Sequence, residues 1–166
     1  MLQFSQQRII QHMKDNIKKY LDRYLELFPD EKKDLTLLLE QVAGELSCID
    51  RKNFVGHVTA SGLVLSKDKK VLVIFHNILK RYLQPGGHLE KEDKNLVQAA
   101  QREILEETGL QNCSLDEWCL NNQAPFLIDT HHIPANPKKD EAEHFHHDFL
   151  FLFSYEDTGN MELMHK

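Results

Sequence analysis

Three glutamates within one short segment carry the clearest chemical signal in this chain. The run Arg102–Leu110 reads REILEETGL. On a helix, Glu103, Glu106 and Glu107 occupy positions i, i+3 and i+4, so they project from one face within one turn. Like charges at this spacing repel by roughly 0.2–0.5 kcal/mol per pair, which favours a compensating cation. Carboxylate oxygens are hard ligands suited to Mg²⁺ or Mn²⁺, and Arg102 is placed to orient them by charge-assisted hydrogen bonds.

The alternative interpretation of this segment is an ordinary solvated acidic helix face. Two observations favour the cation site. Gly86 and Gly87 lie just upstream, and glycines let backbone groups approach a ligand closely. The opposite side of the same helix is apolar, so the acidic face is expected to look away from the core and onto the Gly-Gly loop.

The runs Gly87–Asp93 and Arg102–Leu110 together resemble the Nudix box. That signature is Gly, five residues, Glu, seven residues, Arg-Glu, an aliphatic, any residue, Glu-Glu, any residue, Gly and an aliphatic. The second half matches at every specified position. In the first half Asp93 stands for the glutamate, and eight residues separate it from Arg102. We interpret this as a loop longer by one residue. The altered spacing leaves open whether Asp93 forms the salt bridge expected at this position.

The resemblance to Nudix hydrolases implies an α/β/α sandwich with a mixed sheet, in which the box forms a loop–helix–loop. It implies a metal-dependent hydrolase that cleaves a diphosphate linkage in a nucleoside diphosphate derivative or similar organic pyrophosphate. By similarity, Glu103, Glu106 and Glu107 bind Mg²⁺ or Mn²⁺, the carbonyl of Gly87 joins them, and Arg102 belongs to the catalytic set. The alternative is a non-catalytic nucleotide- or metal-sensing module on the same fold. Isomerase chemistry on an allylic diphosphate is not favoured, because no cysteine lies in a recognisable active-site context.

A histidine-rich strand follows the box. Five of the ten histidines lie between Asp129 and Asp148. With a period of two, His144, His146 and Asp148 share one face, while the Phe145-to-Phe153 alternation forms a core face. Imidazoles and a carboxylate at alternate positions can bind a metal or contact phosphate. We expect this face to line the substrate pocket, so that His146→Ala reduces turnover; a polar strand end bonded to backbone and water is the alternative.

Three further residues are candidates for substrate binding. His57 opens the run HVTAS, which together with LQPGGH before the box resembles a subgroup of the family with a variant box and this His-rich strand. Arg81 precedes the Gly-Gly loop and could meet phosphate oxygens, and Tyr82 could stack on a base. A structural histidine, a solvated charge and a core tyrosine are the respective alternatives.

The chain divides by its hydrophobic period. Residues 1–50 show apolar residues at three- and four-residue spacing and predict a helical hairpin, whereas residues 51–166 form the Nudix domain. The predicted strands are Phe54–Ser66, Lys70–His76, Phe126–Ile133 and Phe145–Tyr155, and the predicted helix is Asn95–Thr108 with its buried side on Leu96, Ala99, Ala100, Ile104 and Leu105. The segments Leu83–His88 and Pro134–Asp140 are predicted loops.

Composition excludes several classes of protein. The 166 residues carry a formal net charge of −6, which disfavours binding to duplex nucleic acid. Apolar runs are strand-sized and well short of the roughly 20 residues that cross a bilayer, and no secretory signal is visible. The three cysteines form no CxxC pair, so a reducing, cytoplasmic location is expected.

The Nudix domain looks short at its C-terminus, because many relatives continue with a further strand and a closing helix after the position of Tyr155. The N-terminal hairpin, a partner subunit or a shortened chain would each account for this. Apolar sheet surface left uncovered would favour association, so a homodimer is expected. The substrate is expected to be a small diphosphate whose identity the sequence does not name.

Overall fold

The computed structural model describes residues 2–44, 48–77, 80–137 and 140–156. The helices are α1 (Leu2–Leu27), α2 (Thr36–Ala43), α3 (Leu96–Thr108) and α4 (Glu117–Asn122), with a 3₁₀ helix at Pro29–Lys33. The strands are β1 (His57–Ser66), β2 (Ile74–His76), β3 (Arg81–Leu83), β4 (Gly86–His88), β5 (Cys113–Leu115), β6 (Leu127–Ile133) and β7 (His144–Tyr155). The C-terminal end of the predicted Nudix domain, from residue 157 on, lies outside the described residues.

A mixed sheet is built around two long parallel strands. β1 runs parallel to β7, in register from His57 opposite His146 to Ser66 opposite Tyr155. β4 is antiparallel to the other edge of β1, while β6 and β5 pair successively along the free edge of β7. β2 and β3 form a separate two-stranded sheet. The expected α/β class, with a mixed sheet preceded by helices, is confirmed.

A large part of the core lies on one face of this sheet. Phe149, Phe151 and Phe153 are fully buried at alternate positions of β7, as strand geometry requires. Tyr20 of α1 meets Phe151 edge-on at 5.2 Å between ring centroids. Ile104 of α3 fills the space beside Gly62, where an added Cβ would lie 2.5 Å from its Cδ1. Both α1 and α3 therefore pack against the same sheet face.

The box helix α3 is delimited by local signals. The Asn95 side chain accepts a hydrogen bond from the backbone N–H of Gln98, capping the first turn. Gly109 ends the helix at φ 72°, the left-handed conformation that glycine adopts at little cost. The helix thus begins and ends where the sequence predicts, and Arg102 and its three glutamates fall in its last two turns.

The N-terminal helices are bonded to the rest of the chain. Asn16 Oδ1 accepts a 3.0 Å hydrogen bond from the backbone N–H of Leu96, at the start of α3. Gln41 of α2 donates to the carbonyl of Gly56 at 2.9 Å, next to the start of β1. The helical segment therefore packs on the sheet domain, and the division at residue 50 stays a prediction.

Two predicted segments differ from the structure. Lys70–His76 is not one strand: Val71 forms an isolated bridge with Leu65, and only Ile74–His76 forms a strand, which pairs with β3. Leu83–His88 is not a loop throughout, because Gly86–His88 form β4 against β1. Such short strands are specified by their partners rather than by local pattern.

Two predicted core residues face solvent. Leu105 is 45% exposed, because α3 turns this position away from the sheet. Phe145 is also exposed, near the start of β7 where the face that buries Phe149 is no longer covered. Across the described ranges, no helix combines the length and apolar character needed to span a bilayer.

Candidate active site

Arg102 is the organising residue of the Nudix-box segment. Its Nε lies 3.1 Å from Asp93 Oδ1 and its Nη2 lies 3.0 Å from Asp93 Oδ2, a two-point ion pair. The Asp93 side chain is only 3% exposed, and its Oδ2 also accepts the backbone N–H of Glu90 at 2.8 Å. Asp93 therefore takes the ion pair, and the longer loop folds without losing it.

The same guanidinium reaches the helix carboxylates. Arg102 Nη1 donates to Glu103 Oε1 at 2.8 Å and to Glu106 Oε2 at 3.2 Å, and Nη2 donates to the carbonyl of His88 at 2.9 Å. Partial burial works to lower the pKa of Arg102, but its bonds to Asp93 and Glu103 outweigh this and raise it. Arg102 is therefore a permanent cation that orients two box glutamates.

One positive charge does not balance this cluster. Arg102 lies within 4.0 Å of four carboxylates, those of Glu90, Asp93, Glu103 and Glu106. Burial raises the pKa of Glu103 despite its arginine partner, and the neighbouring Glu107 and Glu106 add to the rise. The excess negative charge is the electrostatic condition under which a divalent cation binds.

The Gly-Gly segment lies directly against the glutamates. The backbone N–H of Gly86 donates to Glu107 Oε2 at 3.0 Å, which fixes that carboxylate at the edge of β4. A Cβ added at Gly87 would lie 2.6 Å from Glu103 Oε1 and 2.7 Å from its Cδ, so only glycine leaves room for this carboxylate. The sequence expectation that the acidic face looks onto the Gly-Gly loop is confirmed.

These residues fit a Mg²⁺ or Mn²⁺ ion by the chemistry of their donors. Glu103, Glu106 and Glu107 belong to the last two turns of α3, and the Gly87 backbone approaches Glu103 without an intervening side chain. All of these donors are oxygen atoms, which hard divalent cations prefer. Glu106 is more than half exposed, so the cluster opens to solvent and to a ligand.

The histidine candidates form a second cluster. Rings of His57, His144 and His146 lie 4.8–5.1 Å apart between centroids, and His57 and His144 are buried. His88 joins them at 5.0 Å from His57 and 5.1 Å from His146. The cluster lies on the sheet face opposite α3, because His88 alternates with Gly87, which faces Glu103.

Asp148 shares this face but has a different task. Its carboxylate accepts hydrogen bonds from the hydroxyls of Thr59, at 2.8 Å, and Ser61. Burial raises the pKa of Asp148, against the lowering effect of these two bonds. Asp148 thus links β7 to β1 through side chains, and the substrate contact expected of it stays a prediction.

Arg81 and Tyr82 lie outside both clusters. They belong to β3 in the separate two-stranded sheet, opposite His76 and Phe75. Tyr82 is 68% exposed and meets the Phe75 ring edge-on at 5.2 Å, so it is not a core residue. Their roles in substrate binding stay predictions.

Two contributors were not among the predicted site residues. His88 belongs to the histidine cluster, although the sequence shows it only as the residue after the Gly-Gly pair. Asp93 anchors Arg102, and the signal that identifies it is the box spacing read with one extra residue. The strand period could have indicated His88 only once β4 was known to be a strand.

Comparison with known proteins identifies the family. A model described as the NUDIX domain matches residues 56–164, which include the box, the Gly-Gly strand and both clusters. The chain belongs to the NUDIX domain family. A probable DHNTP pyrophosphohydrolase of Lactococcus lactis is 37% identical over 100 residues, covering 60% of this chain and 55% of that protein. The phosphatase NudJ of Escherichia coli K12 is 38% identical over 81 residues, covering 45% and 52% respectively.

The Nudix chain spans about half the length of these curated relatives. Among solved structures, a NUDIX-family hydrolase from Clostridium perfringens is 25% identical, with a TM-score of 0.42 and coverage of 64% of this chain and 77% of that one.

Proposed function

We propose that this Nudix protein hydrolyses a diphosphate linkage in a nucleoside diphosphate derivative or similar organic pyrophosphate, with Mg²⁺ or Mn²⁺ held by Glu103, Glu106, Glu107 and the carbonyl of Gly87. The observation that supports the proposal is that Glu103 and Glu107 lie against the side-chain-free Gly86-Gly87 strand, while Glu106 shares the Arg102 guanidinium with Glu103. The pyrophosphohydrolase named among its relatives supports the reaction class.

The chain's own residues prepare the site before a substrate arrives. Arg102, anchored by Asp93, orients Glu103 and Glu106, and the Gly86 N–H orients Glu107. A divalent ion in such a site supplies charge neutralisation on phosphate oxygens and a water that is nucleophilic near neutral pH. Prior orientation of the carboxylates means that little reorganisation is needed when the reaction occurs.

A substrate screen tests this proposal. The purified chain is incubated with Mg²⁺ or Mn²⁺ and nucleotide sugars, dinucleoside polyphosphates, NADH, oxidised nucleotides and DHNTP, and released phosphate is measured after a coupling phosphatase. We expect at least one compound to be cleaved at its diphosphate linkage in a metal-dependent reaction. No turnover of any of them with either metal would contradict the proposal.

A charge-neutral variant links that activity to the box. Glu106→Gln keeps the size of the side chain and removes its charge, and we expect kcat to fall at least ~10³-fold, which is about 4 kcal/mol of barrier. Glu92→Gln is the matched control, because Glu92 is an exposed carboxylate in the same loop–helix segment. A loss below tenfold for Glu106→Gln would remove this carboxylate from the catalytic set.

The other expectations stay predictions. The homodimer is tested by the mass of the particle in light scattering, and a monomer at micromolar concentration would refute it. The cytoplasmic location depends on cysteine usage: Cys48, Cys113 and Cys119 are all free thiols in the structure.

A further inference from the structure

Three histidines on the sheet face opposite the box hold their ring nitrogens close together. His57, His144 and His146 each place one ring nitrogen so that the three atoms lie within 4.8 Å of one another. They come from adjacent parallel strands, since His57 pairs with His146 across β1 and β7. The two longest, best-paired strands of the sheet therefore fix the positions of these imidazoles.

Backbone carbonyls set the orientation of two of the rings. His57 Nδ1 lies 3.2 Å from the carbonyl of Asn53, and His144 Nδ1 lies 2.7 Å from the carbonyl of Ala142. A carbonyl oxygen only accepts, so each Nδ1 carries the proton and each Nε2 presents a lone pair. Metal-bound histidines typically donate their other ring N–H in this way.

One of these lone pairs has no partner. His57 Nε2 is buried and makes no hydrogen bond to any residue in the described part of the chain. Buried polar atoms are nearly always satisfied, so an orphaned nitrogen on a ring that contacts two other imidazoles points to a missing ligand. Burial lowers the pKa of His57, and burial together with neighbouring imidazoles lowers the pKa of His146 to about 2, which keeps both rings in the neutral form that binds metals.

The spacing suits a tetrahedral ion. Zinc–nitrogen bonds of about 2.0–2.1 Å in a tetrahedron separate the ligand nitrogens by about 3.3–3.4 Å. His144 Nε2 and His146 Nε2 already lie 3.2 Å apart, joined by a hydrogen bond whose proton a bound ion would displace. No pair in the triad exceeds 4.8 Å, so closing on an ion requires a movement of about 1.5 Å or less, within the reach of the half-buried His146 ring.

We propose that His57, His144 and His146 form a second metal site, for a single divalent transition-metal ion of the zinc class, separate from the carboxylate site of the box. Neutral imidazoles suit zinc and its neighbours, whereas the box oxygens suit Mg²⁺ and Mn²⁺, so the two sites differ in preference. Three protein ligands leave one position open, and the His88 ring lies beside the rings of His57 and His146.

Zinc binding in the presence of saturating Mg²⁺ tests the site without any assay of activity. The full chain is stripped with a chelator, dialysed into Mg²⁺ and titrated with Zn²⁺ by calorimetry. We expect one zinc per chain, and we expect Glu103→Gln/Glu106→Gln/Glu107→Gln to bind zinc as well as the wild type. In His146→Gln we expect the affinity to fall at least ~100-fold, the upper end of what loss of a supporting group does.

His132→Gln is the matched control, because His132 is an exposed histidine on the neighbouring strand whose ring contacts Phe145 and Glu143. Zinc should raise the unfolding temperature of the wild type and His132→Gln but not of His146→Gln. On the wild type itself, ¹⁵N NMR should show zinc-dependent shifts of the His57, His144 and His146 ring nitrogens, a readout independent of whether a variant folds.

Three results would overturn the proposal. One is zinc affinity unchanged in His146→Gln. Another is zinc binding lost in the triple glutamine variant, which would place the ion on the box. The third is the absence of zinc-dependent shifts in the three imidazoles of the wild type.

Discussion

Gly87→Ala is the sharpest perturbation of the carboxylate site, because it changes one methyl group and leaves every charged residue in place. Gly87 has no left-handed backbone angle, so alanine adopts its conformation without strain. The new Cβ would lie 2.6 Å from Glu103 Oε1 and 2.9 Å from Oε2. The flexible end of the Glu103 side chain must therefore move, while the backbone can keep its conformation.

The size of the movement sets the expected effect. Ordinary contact of a Cβ with an oxygen is about 3.4 Å or more, so the carboxylate must retreat by about 1 Å, and misplacement on this scale costs about 10²-fold in rate. The retreat also lengthens the 2.8 Å bond from Arg102 to Glu103. We expect Gly87→Ala to weaken Mn²⁺ binding and to lower kcat by about 10²-fold, with little change in the free energy of unfolding.

Manganese titration followed by electron paramagnetic resonance measures the first effect without a substrate. Gly44→Ala is the control, since its new Cβ would approach only backbone oxygens of α2, the nearest being Glu40 O at 3.1 Å. Combining Gly87→Ala with Glu103→Asp should give a loss smaller than the sum of the single losses, because both act through one carboxylate. Mn²⁺ affinity within threefold of wild type for Gly87→Ala would refute the placement of Glu103 at the metal.

Three further predictions concern stability and its pH dependence. Asp93→Asn should lower the free energy of unfolding in urea by about 2–3 kcal/mol, below the usual cost of breaking a buried pair because its arginine keeps other partners; a loss under ~0.5 kcal/mol would contradict this. Gly62→Ala should destabilise by about 1–3 kcal/mol, because its Cβ would lie 2.5 Å from Ile104 Cδ1, and adding Ile104→Val should recover part of the loss; no recovery would place the strain elsewhere. The hydrogen bond from the Ser154 hydroxyl lowers the pKa of Asp116 in the folded protein, so it stabilises the fold at neutral pH, and this stabilisation is lost as the pH falls from the ordinary carboxyl pKa through the folded pKa. Ser154→Ala should therefore be less stable than the wild type at pH 7 but not in acid. A stability difference that does not change with pH would refute this.

Elements with strong local signals were predictable from the sequence. The box helix begins at its Asn95 cap and ends at Gly109, because capping and glycine chemistry act within a few residues. Helical spacing predicted that Glu103, Glu106 and Glu107 lie on one face of this helix. The prediction was less complete where contacts are non-local: β4 forms by pairing with β1, and the chain leaves β1 after the Val71 bridge, so that β2 pairs with β3.

The histidine cluster shows the same limit within a functional site. The period of two placed His144, His146 and Asp148 on one face of β7, but pairing with β1 decides which of them meet His57. Asp148 lies opposite Thr59 and accepts its hydroxyl, so it bonds within the sheet while the two histidines gather around His57. The register between β1 and β7 therefore separates Asp148 from the two histidines, and this register is not encoded in either segment alone.

Crystals of the full chain soaked in Mn²⁺ and measured at the manganese absorption edge will show whether the box glutamates hold the metal. We expect an anomalous peak bounded by the carboxylates of Glu103, Glu106 and Glu107 beside Gly87, and its loss in Glu106→Gln. At saturating Mn²⁺, a wild-type structure with no peak among these three carboxylates would contradict it.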